Sequence, residues 1–259
     1  MKNESLFNYK ILSKEELTFF NENGYLIIKS ILKPEGLAQM QKECMEAWGK
    51  EKETFDPNKS WLQNSLLINI HHQAKTVKEY YFNGPLVEMA SEIIGPNIKG
   101  ATSQLTFKMK GNTKPFGWHQ DNGYGELEPY NALTTLTALD DTDQGNGCLW
   151  LIPGSHKSGQ IRVEQSEAQK KSGAEIIVEA NDSIAVPMEM KAGDVLIFNC
   201  WMLHKSDGNI SDSRDRRILF LRYADADAIE VYNGGKPRLG RLVKGKTKFK
   251  EVEEFEANL

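Results

Sequence analysis

Residues 97–225 constrain the fold of this chain most. They alternate short β-prone runs with clusters of turn formers, the runs being Gln104 to Met109, Ala132 to Leu139, Cys148 to Ile152, Asp194 to Asn199 and Arg217 to Tyr223. The turns are chemically explicit: Asp-Asp-Thr-Asp-Gln-Gly-Asn-Gly at 140–147, Pro153-Gly154-Ser155 and Ala192-Gly193-Asp194. Many short strands joined in this way predict a closed or sandwiched β core.

Upstream the texture is helical. Ser13 with Glu16 forms a capping box for a first helix, Gly24 interrupts it, and Tyr25-Leu26-Ile27-Ile28 reads as a strand. A second helix starts near Pro34 and repeats Leu37, Met40, Cys44 and Trp48 along one face, a core stripe. A third, Pro85 to Ile94, stops at Gly95-Pro96. The expected organisation is a single domain over 1–259, mainly β with a helical buttress: a mostly helical part at 1–96, the β core at 97–225 and a C-terminal tail at 226–259. No segment has the composition of an interdomain linker. Residues 157–183 are polar and poorly periodic, which predicts a long insertion or lid between strands. The basic run from Lys236 to Lys250, followed by Glu251, Glu253, Glu254 and Glu256, reads as a solvated, self-compensating tail.

Composition bounds the partners. With 259 residues, 39% hydrophobic and 26% charged, a sizeable core is available. A formal charge of −4 gives no general attraction to nucleic acid or anionic lipid, so a small molecule is the expected partner. Cys44, Cys148 and Cys200 are too few and too scattered for a disulfide scaffold or a zinc cluster, and are expected to be reduced and buried. The N-terminus lacks the apolar region of a signal peptide and no stretch is long enough to cross a membrane, so the cytoplasm is the expected compartment.

The chemistry centres on Phe116-Gly117-Trp118-His119-Gln120-Asp121. Residues two apart on a strand share a face, so His119 and Asp121 can grip one ion. The spacing alone is weak evidence and needs a third ligand. His204 supplies it, after the strand-like Gly193 to Asn199, provided that a closed β fold brings it to His119. Two imidazoles and one carboxylate leave three octahedral positions open, the pattern of non-haem iron(II) that binds a chelating cosubstrate and O2. Zinc with the same donors is the competing reading. A chelating 2-oxo acid needs a cation for its far carboxylate, and Arg216-Arg217 lies a short loop beyond His204. Arginine matches a carboxylate bidentately. Strand parity allows only one of the pair to point inward, and Arg216 is chosen. Ser206 can add a hydroxyl donor.

Together FGWHQDNGY, DDTDQGNGCLWLIPGSHKSG, AGDVLIFN, HKSDGNISDSRDRR and the opening LSKEELTFFNENGYLIIKSIL make the chain similar to the phytanoyl-CoA dioxygenase superfamily, which includes ectoine hydroxylase-like enzymes. The resemblance covers most of the chain. It implies a double-stranded β-helix of the jelly-roll, cupin type. It also implies iron(II) on His119, Asp121 and His204, and 2-oxoglutarate held by Arg216 with Ser206. On the strand before the metal motif, Gln104 and Lys108 correspond to polar cosubstrate or substrate contacts. The implied activity is an iron(II)/2-oxoglutarate- and O2-dependent hydroxylation. Related halogenases lack the carboxylate ligand; Asp121 is present, which favours hydroxylation. Family substrates vary widely, so the motifs fix the reaction class and not the substrate.

Trp118, Asn122, Tyr124 and His71 are the candidate substrate contacts. Core packing is the competing reading for Trp118, as for Trp150. His71 and His72 are adjacent and on a strand would face opposite sides, which argues against a shared metal. His156, in Pro-Gly-Ser-His, reads as a turn residue. Ser155 lacks a nucleophilic His-Asp arrangement and no glycine-rich stretch matches a phosphate loop. Two rivals stay open: a cupin-type zinc or manganese hydrolase or isomerase, and a non-catalytic small-molecule-binding barrel. Lys108, Lys110 and Lys114 suit either an acidic substrate or a solvated face.

Overall fold

A computed structural model of the chain describes residues 2–51, 64–121, 127–161 and 178–259. Asn122, Tyr124 and most of the expected lid lie outside the described residues.

The first helix, Lys14–Asn23, carries both halves of the capping box between Ser13 and Glu16. It ends at Gly24, whose φ of 82° is left-handed and whose N–H donates to Phe20 O at 2.7 Å. A Cβ at Gly24 would stand 2.3 Å from Met202 Sδ and 2.4 Å from His156 Nδ1, so only glycine lets the chain turn here into strand β1, Tyr25–Ile28. His156 serves this corner as a turn residue, its Nε2 lying 3.2 Å from Asn21 O.

The helices Pro34–Glu51 and Pro85–Ile94 bury the faces that their periodicity marks, Met40, Cys44 and Trp48 in the first and Leu86, Met89 and Ile94 in the second. The periodicity gives no warning of a further helix, Lys75–Asn83. Its Val77, Tyr80, Tyr81 and Phe82 have modest helix propensity, yet all four are buried, and tertiary packing overrides the local preference.

The remaining strands are β2 Leu66–Ile68, β3 Ile98–Lys108, β4 Phe116–His119, β5 Leu127–Glu128, β6 Ala132–Ala138, β7 Leu149–Leu151, β8 Val186–Met188, β9 Val195–Asn199, β10 His204–Ser206, β11 Arg216–Asp225, β12 Ile229–Glu230, β13 Lys236–Pro237 and β14 Arg241–Lys244. One sheet runs β1-β9-β6-β11-β3-β14, with β2 also on β3, and a second runs β4-β10-β7-β8. All the pairings are antiparallel. The two sheets pack through Leu136, Phe198 and Ile218 of the first and Leu149, Leu151 and Met188 of the second. This is the mainly β jelly-roll core with a helical buttress that the sequence predicts, in sandwiched form; the described strands do not close into a barrel.

Strand parity sorts the long strands. On β11, Leu219, Leu221 and Tyr223 join the core under the helices, whereas Arg216, Ile218, Phe220 and Arg222 face a cavity between the sheets. On β3, Leu105 and Phe107 face the helices and Thr102, Gln104 and Thr106 face the cavity. β3 begins six residues earlier than expected, because Ile98, Lys99 and Gly100 pair with both β11 and β14; the buried Lys99 donates to the carbonyls of Ala226 and Ala228, each at 3.1 Å. The segment after 225 is more than a solvated tail: β14 pairs with β3, and Val252 of the Lys250–Glu254 helix is buried.

Candidate metal centre

His119 ends β4, and across the antiparallel pair its direct partner is His204 of β10. Their ring centroids lie 4.0 Å apart. A closed barrel is therefore not what joins them; neighbouring strands do, with a register irregularity between His204 and Ser206. Asp121 is not on the strand either. The chain turns after His119, and the turn is pinned by Gln120, whose Nε2 donates to Gly159 O at 2.9 Å and Trp201 O at 2.7 Å while its Oε1 accepts from Ile161 N at 2.8 Å. That clamp directs the Asp121 carboxylate towards the imidazoles, with Oδ1 3.6 Å from His204 Nε2.

The ligand atoms of His119, Asp121 and His204 all lie within 4.8 Å of one another. His119 Nδ1 is 2.8 Å from Gly117 O and His204 Nδ1 is 3.0 Å from Met202 O. A carbonyl only accepts, so both Nδ1 atoms carry the proton and both Nε2 lone pairs are left for a metal. Burial, with His204 adding to it, pushes the His119 imidazole down to about 3, so it stays neutral. Burial alone would raise the Asp121 carboxyl, but the Arg222 guanidinium, His204 and His119 outweigh it and bring it down to about 2. Its Oδ2 is 3.2 Å from Arg222 Nη2 and accepts from Thr134 Oγ1, which leaves Oδ1 to face the imidazoles.

The triad opens on a cavity of about 600 Å³. Gln104, Ser206 and Arg216 line it. Lys108 stands behind Ser206, donating to its Oγ at 2.8 Å and its carbonyl at 3.2 Å. Arg216 is 2% exposed, its Nε has no hydrogen-bond partner among the described residues, and burial brings its pKa down to about 10. Arg217 turns to the other face, where its Nε donates to Asp140 Oδ2 at 2.8 Å.

Trp118 and His71 are not among the residues lining this cavity. Trp118 is buried against Ile152 and Leu203, and its Nε1 donates to Asp182 Oδ1 at 2.9 Å. His71 sits in the 3-10 turn Ile70–His72, so strand parity does not apply to it, and it shares Glu256 with His72 at 3.1 and 2.7 Å. Residues that the sequence reading missed also line the cavity: Arg222, Arg238, Tyr232 and Asn69. Arg222 was findable, since it stands six residues beyond Arg216 on one strand and so on the same face.

The profile of the phytanoyl-CoA dioxygenase (PhyH) family matches residues 20–218. The chain belongs to this family. As a phytanoyl-CoA dioxygenase family member, it is 24% identical over 257 residues to the phytanoyl-CoA dioxygenase of Arabidopsis thaliana, which covers 83% of this chain and 90% of the relative. It is 27% identical over 222 residues to the 2-aminoethylphosphonate dioxygenase of uncultured bacterium HF130_AEPn_1, covering 82% of this chain and 81% of the relative. Among solved structures, EctD from S. alaskensis with 2-oxoglutarate and 5-hydroxyectoine superposes with a TM-score of 0.67 at 21% identity, covering 87% of this chain and 82% of that one. The family member described here shares their jelly-roll core. Among its described residues, no helix is long and apolar enough to cross a membrane. Cys44, Cys148 and Cys200 are buried and unpaired.

Proposed function

We propose that this chain is a non-haem iron(II), 2-oxoglutarate-dependent dioxygenase that hydroxylates a small molecule and releases succinate and CO2. The observation that carries the proposal is the conjunction, in one cavity, of a two-His, one-carboxylate face and a buried arginine with a vacant Nε donor. Two neutral imidazoles and an anionic carboxylate suit a ferrous ion. Arg216 suits the distal carboxylate of a dicarboxylic oxo acid, with Ser206 as a second donor.

When bound, iron(II), the oxo acid and O2 supply the oxidising power that places one oxygen on a substrate C–H bond as the oxo acid loses CO2. The protein's own part is positional. Gly117 O and Met202 O fix both imidazoles, and Arg222 with Thr134 fixes the carboxylate. Lys108 orients Ser206. Leu136, Leu149, Phe198 and Ile218 wall the cavity with apolar surface, which excludes water from the reacting centre. Gln104 adds a polar group to that wall. We take residues 1–259 as one dioxygenase domain and the cytoplasm as its compartment, which buried, unpaired cysteines suit.

A zinc or manganese hydrolase built on the same triad would leave Arg216 buried without an anion, an arrangement that costs several kcal/mol in general. Anaerobic titration of the iron(II)-loaded protein with 2-oxoglutarate tests the choice. A chelate charge-transfer band in the visible is expected, saturating at one equivalent; its absence would leave the dioxygenase reading without support.

A further inference from the structure

The cavity lining is unevenly exposed: Arg216 is 2% exposed, whereas Ile68 and Tyr232 are 62% and 55% exposed. Arg222 stands between these limits, beside Asp121. Among the described residues lining the cavity, the charged ones are Arg216, Arg222, Arg238 and Asp121. Arg238 is held by Glu230 at 2.8 Å and Arg216 is the arginine read as the cosubstrate's, so Arg222 is the remaining cavity arginine, with Asp121 as its acidic neighbour among the ion pairs described.

From this geometry we infer that the substrate carries an oxyanion, a carboxylate or a phosphonate, and that Arg222 is the residue that receives it; the inference rests on the dioxygenase reading above.

The simpler account, that Arg222 only neutralises Asp121, leaves two facts unexplained. Asp121 Oδ2 already accepts from Thr134 Oγ1, a neutral donor sufficient to orient it. The buried Arg222 Nε meets no partner among the described residues. A buried donor left unmet costs about 1–3 kcal/mol, which a ligand oxygen would offset.

Charge points the same way. With the metal and the oxo acid bound, Asp121 would share its charge with the metal and Arg216 would be answered by the distal carboxylate of the cosubstrate. Arg222 then lacks a full counter-charge in a low-dielectric chamber. A cationic substrate would meet repulsion there, a neutral one would leave the guanidinium unpaired, and an oxyanion matches its planar fork. Of the three lysines before β4, Lys110 and Lys114 are exposed and the buried Lys108 donates to the Ser206 and Asp207 carbonyls, so the attraction comes from β11 instead.

The backbone under Arg222 is built to hold it. The Tyr81 hydroxyl lies 2.8 Å from Arg222 O and 2.9 Å from Thr102 O, at a register irregularity between Arg222 and Tyr223. Phe220 packs beneath the guanidinium, 5.6 Å from ring centroid to Cζ.

The test uses protein loaded with zinc(II), which does not turn over, and saturated with 2-oxoglutarate. Binding of butyrate, propylphosphonate, butyramide and butylammonium is read by ligand-observed NMR. The oxyanions are expected to bind at least tenfold more tightly than the amide and the ammonium, and the order of butyrate and propylphosphonate tells which anion is preferred. Arg222→Gln should remove that preference, read at zinc(II) and 2-oxoglutarate concentrations that saturate the variant. Arg222→Lys, which keeps the charge and loses the fork, should retain part of it, so a misfolded Gln variant does not decide the matter. Intact 2-oxoglutarate binding with no preference for oxyanions overturns this inference alone. Failure of the unsubstituted protein to bind 2-oxoglutarate overturns the dioxygenase reading and this inference with it.

Discussion

Asp121 presents Oδ2 to Arg222 at 3.2 Å and Oδ1 to His204 Nε2 at 3.6 Å, so its two oxygens have different tasks. One is tied to the protein and the other completes the set of donors with the two imidazoles.

Asp121→Ala removes that donor and leaves Arg222 as a buried cation without its acid. Metal content after dialysis should fall from one equivalent to a small fraction, and hydroxylation should be lost. A variant that keeps both full metal content and full activity would show that the ligand is elsewhere.

Arg216→Ala should weaken 2-oxoglutarate binding by about 1.5–3 kcal/mol, a charge-assisted hydrogen bond's worth, which is roughly ten- to 150-fold in Kd. Arg217→Ala should leave that Kd unchanged, since Arg217 faces away and pairs with Asp140. Titrations of the two variants give opposite rankings if the side chains have been assigned to the wrong faces.

The metal-free protein should weaken in mild acid. Burial, then His204, lowers His119 from its ordinary value of 6.5 to about 3, so the unfolded chain takes up a proton in that interval and the folded one does not. The stability linked to this group is complete above pH 6.5 and falls as pH drops towards 3, by about 1.4 kcal/mol per pH unit. Asp121, lowered from 3.8 to about 2 by Arg222 and the imidazoles against the opposing effect of burial, acts in the same sense at lower pH: its contribution is present above 3.8 and lost as pH falls through 2. Denaturant midpoints measured between about pH 7 and 4 should decline for the parent and decline less for His119→Gln. Parallel curves for the two proteins would count against the burial argument.

Glu256→Gln should loosen the C-terminus. Glu256 accepts from His71 and His72 at 3.1 and 2.7 Å, which clips the final residues to the turn after β2. A loss of about 0.5–1.5 kcal/mol and faster carboxypeptidase trimming are expected. Unchanged melting and unchanged trimming would mean that the contact contributes nothing.

Much of this molecule could be read from the chain because the relevant signals are local. The Ser13–Glu16 capping box, the stripe through Met40, Cys44 and Trp48, and the Gly95-Pro96 stop each act within a few residues, and each is found in place. Parity on a strand is local too, and it puts Arg216 and Arg217 on opposite faces. The same rule misled for His71 and His72, which lie in a 3-10 turn and share Glu256; Asp121 lies beyond the end of β4, yet it meets His119 as the spacing predicts. The helix Lys75–Asn83 escaped notice because its aromatic residues state no helical preference and are helical only through what they pack against.

The sequence by itself determined the chemical inventory: two histidines, one aspartate and an arginine of the right kinds, spaced for a metal and an oxo acid, with a family signature around them. Tertiary structure alone decided that His119 and His204, 85 positions apart in the chain, are direct cross-strand partners, and that Arg222 reaches Asp121. The reason is physical: donor type is a property of one residue, whereas convergence depends on strand order and register, which are set by burial of the whole sheet at once.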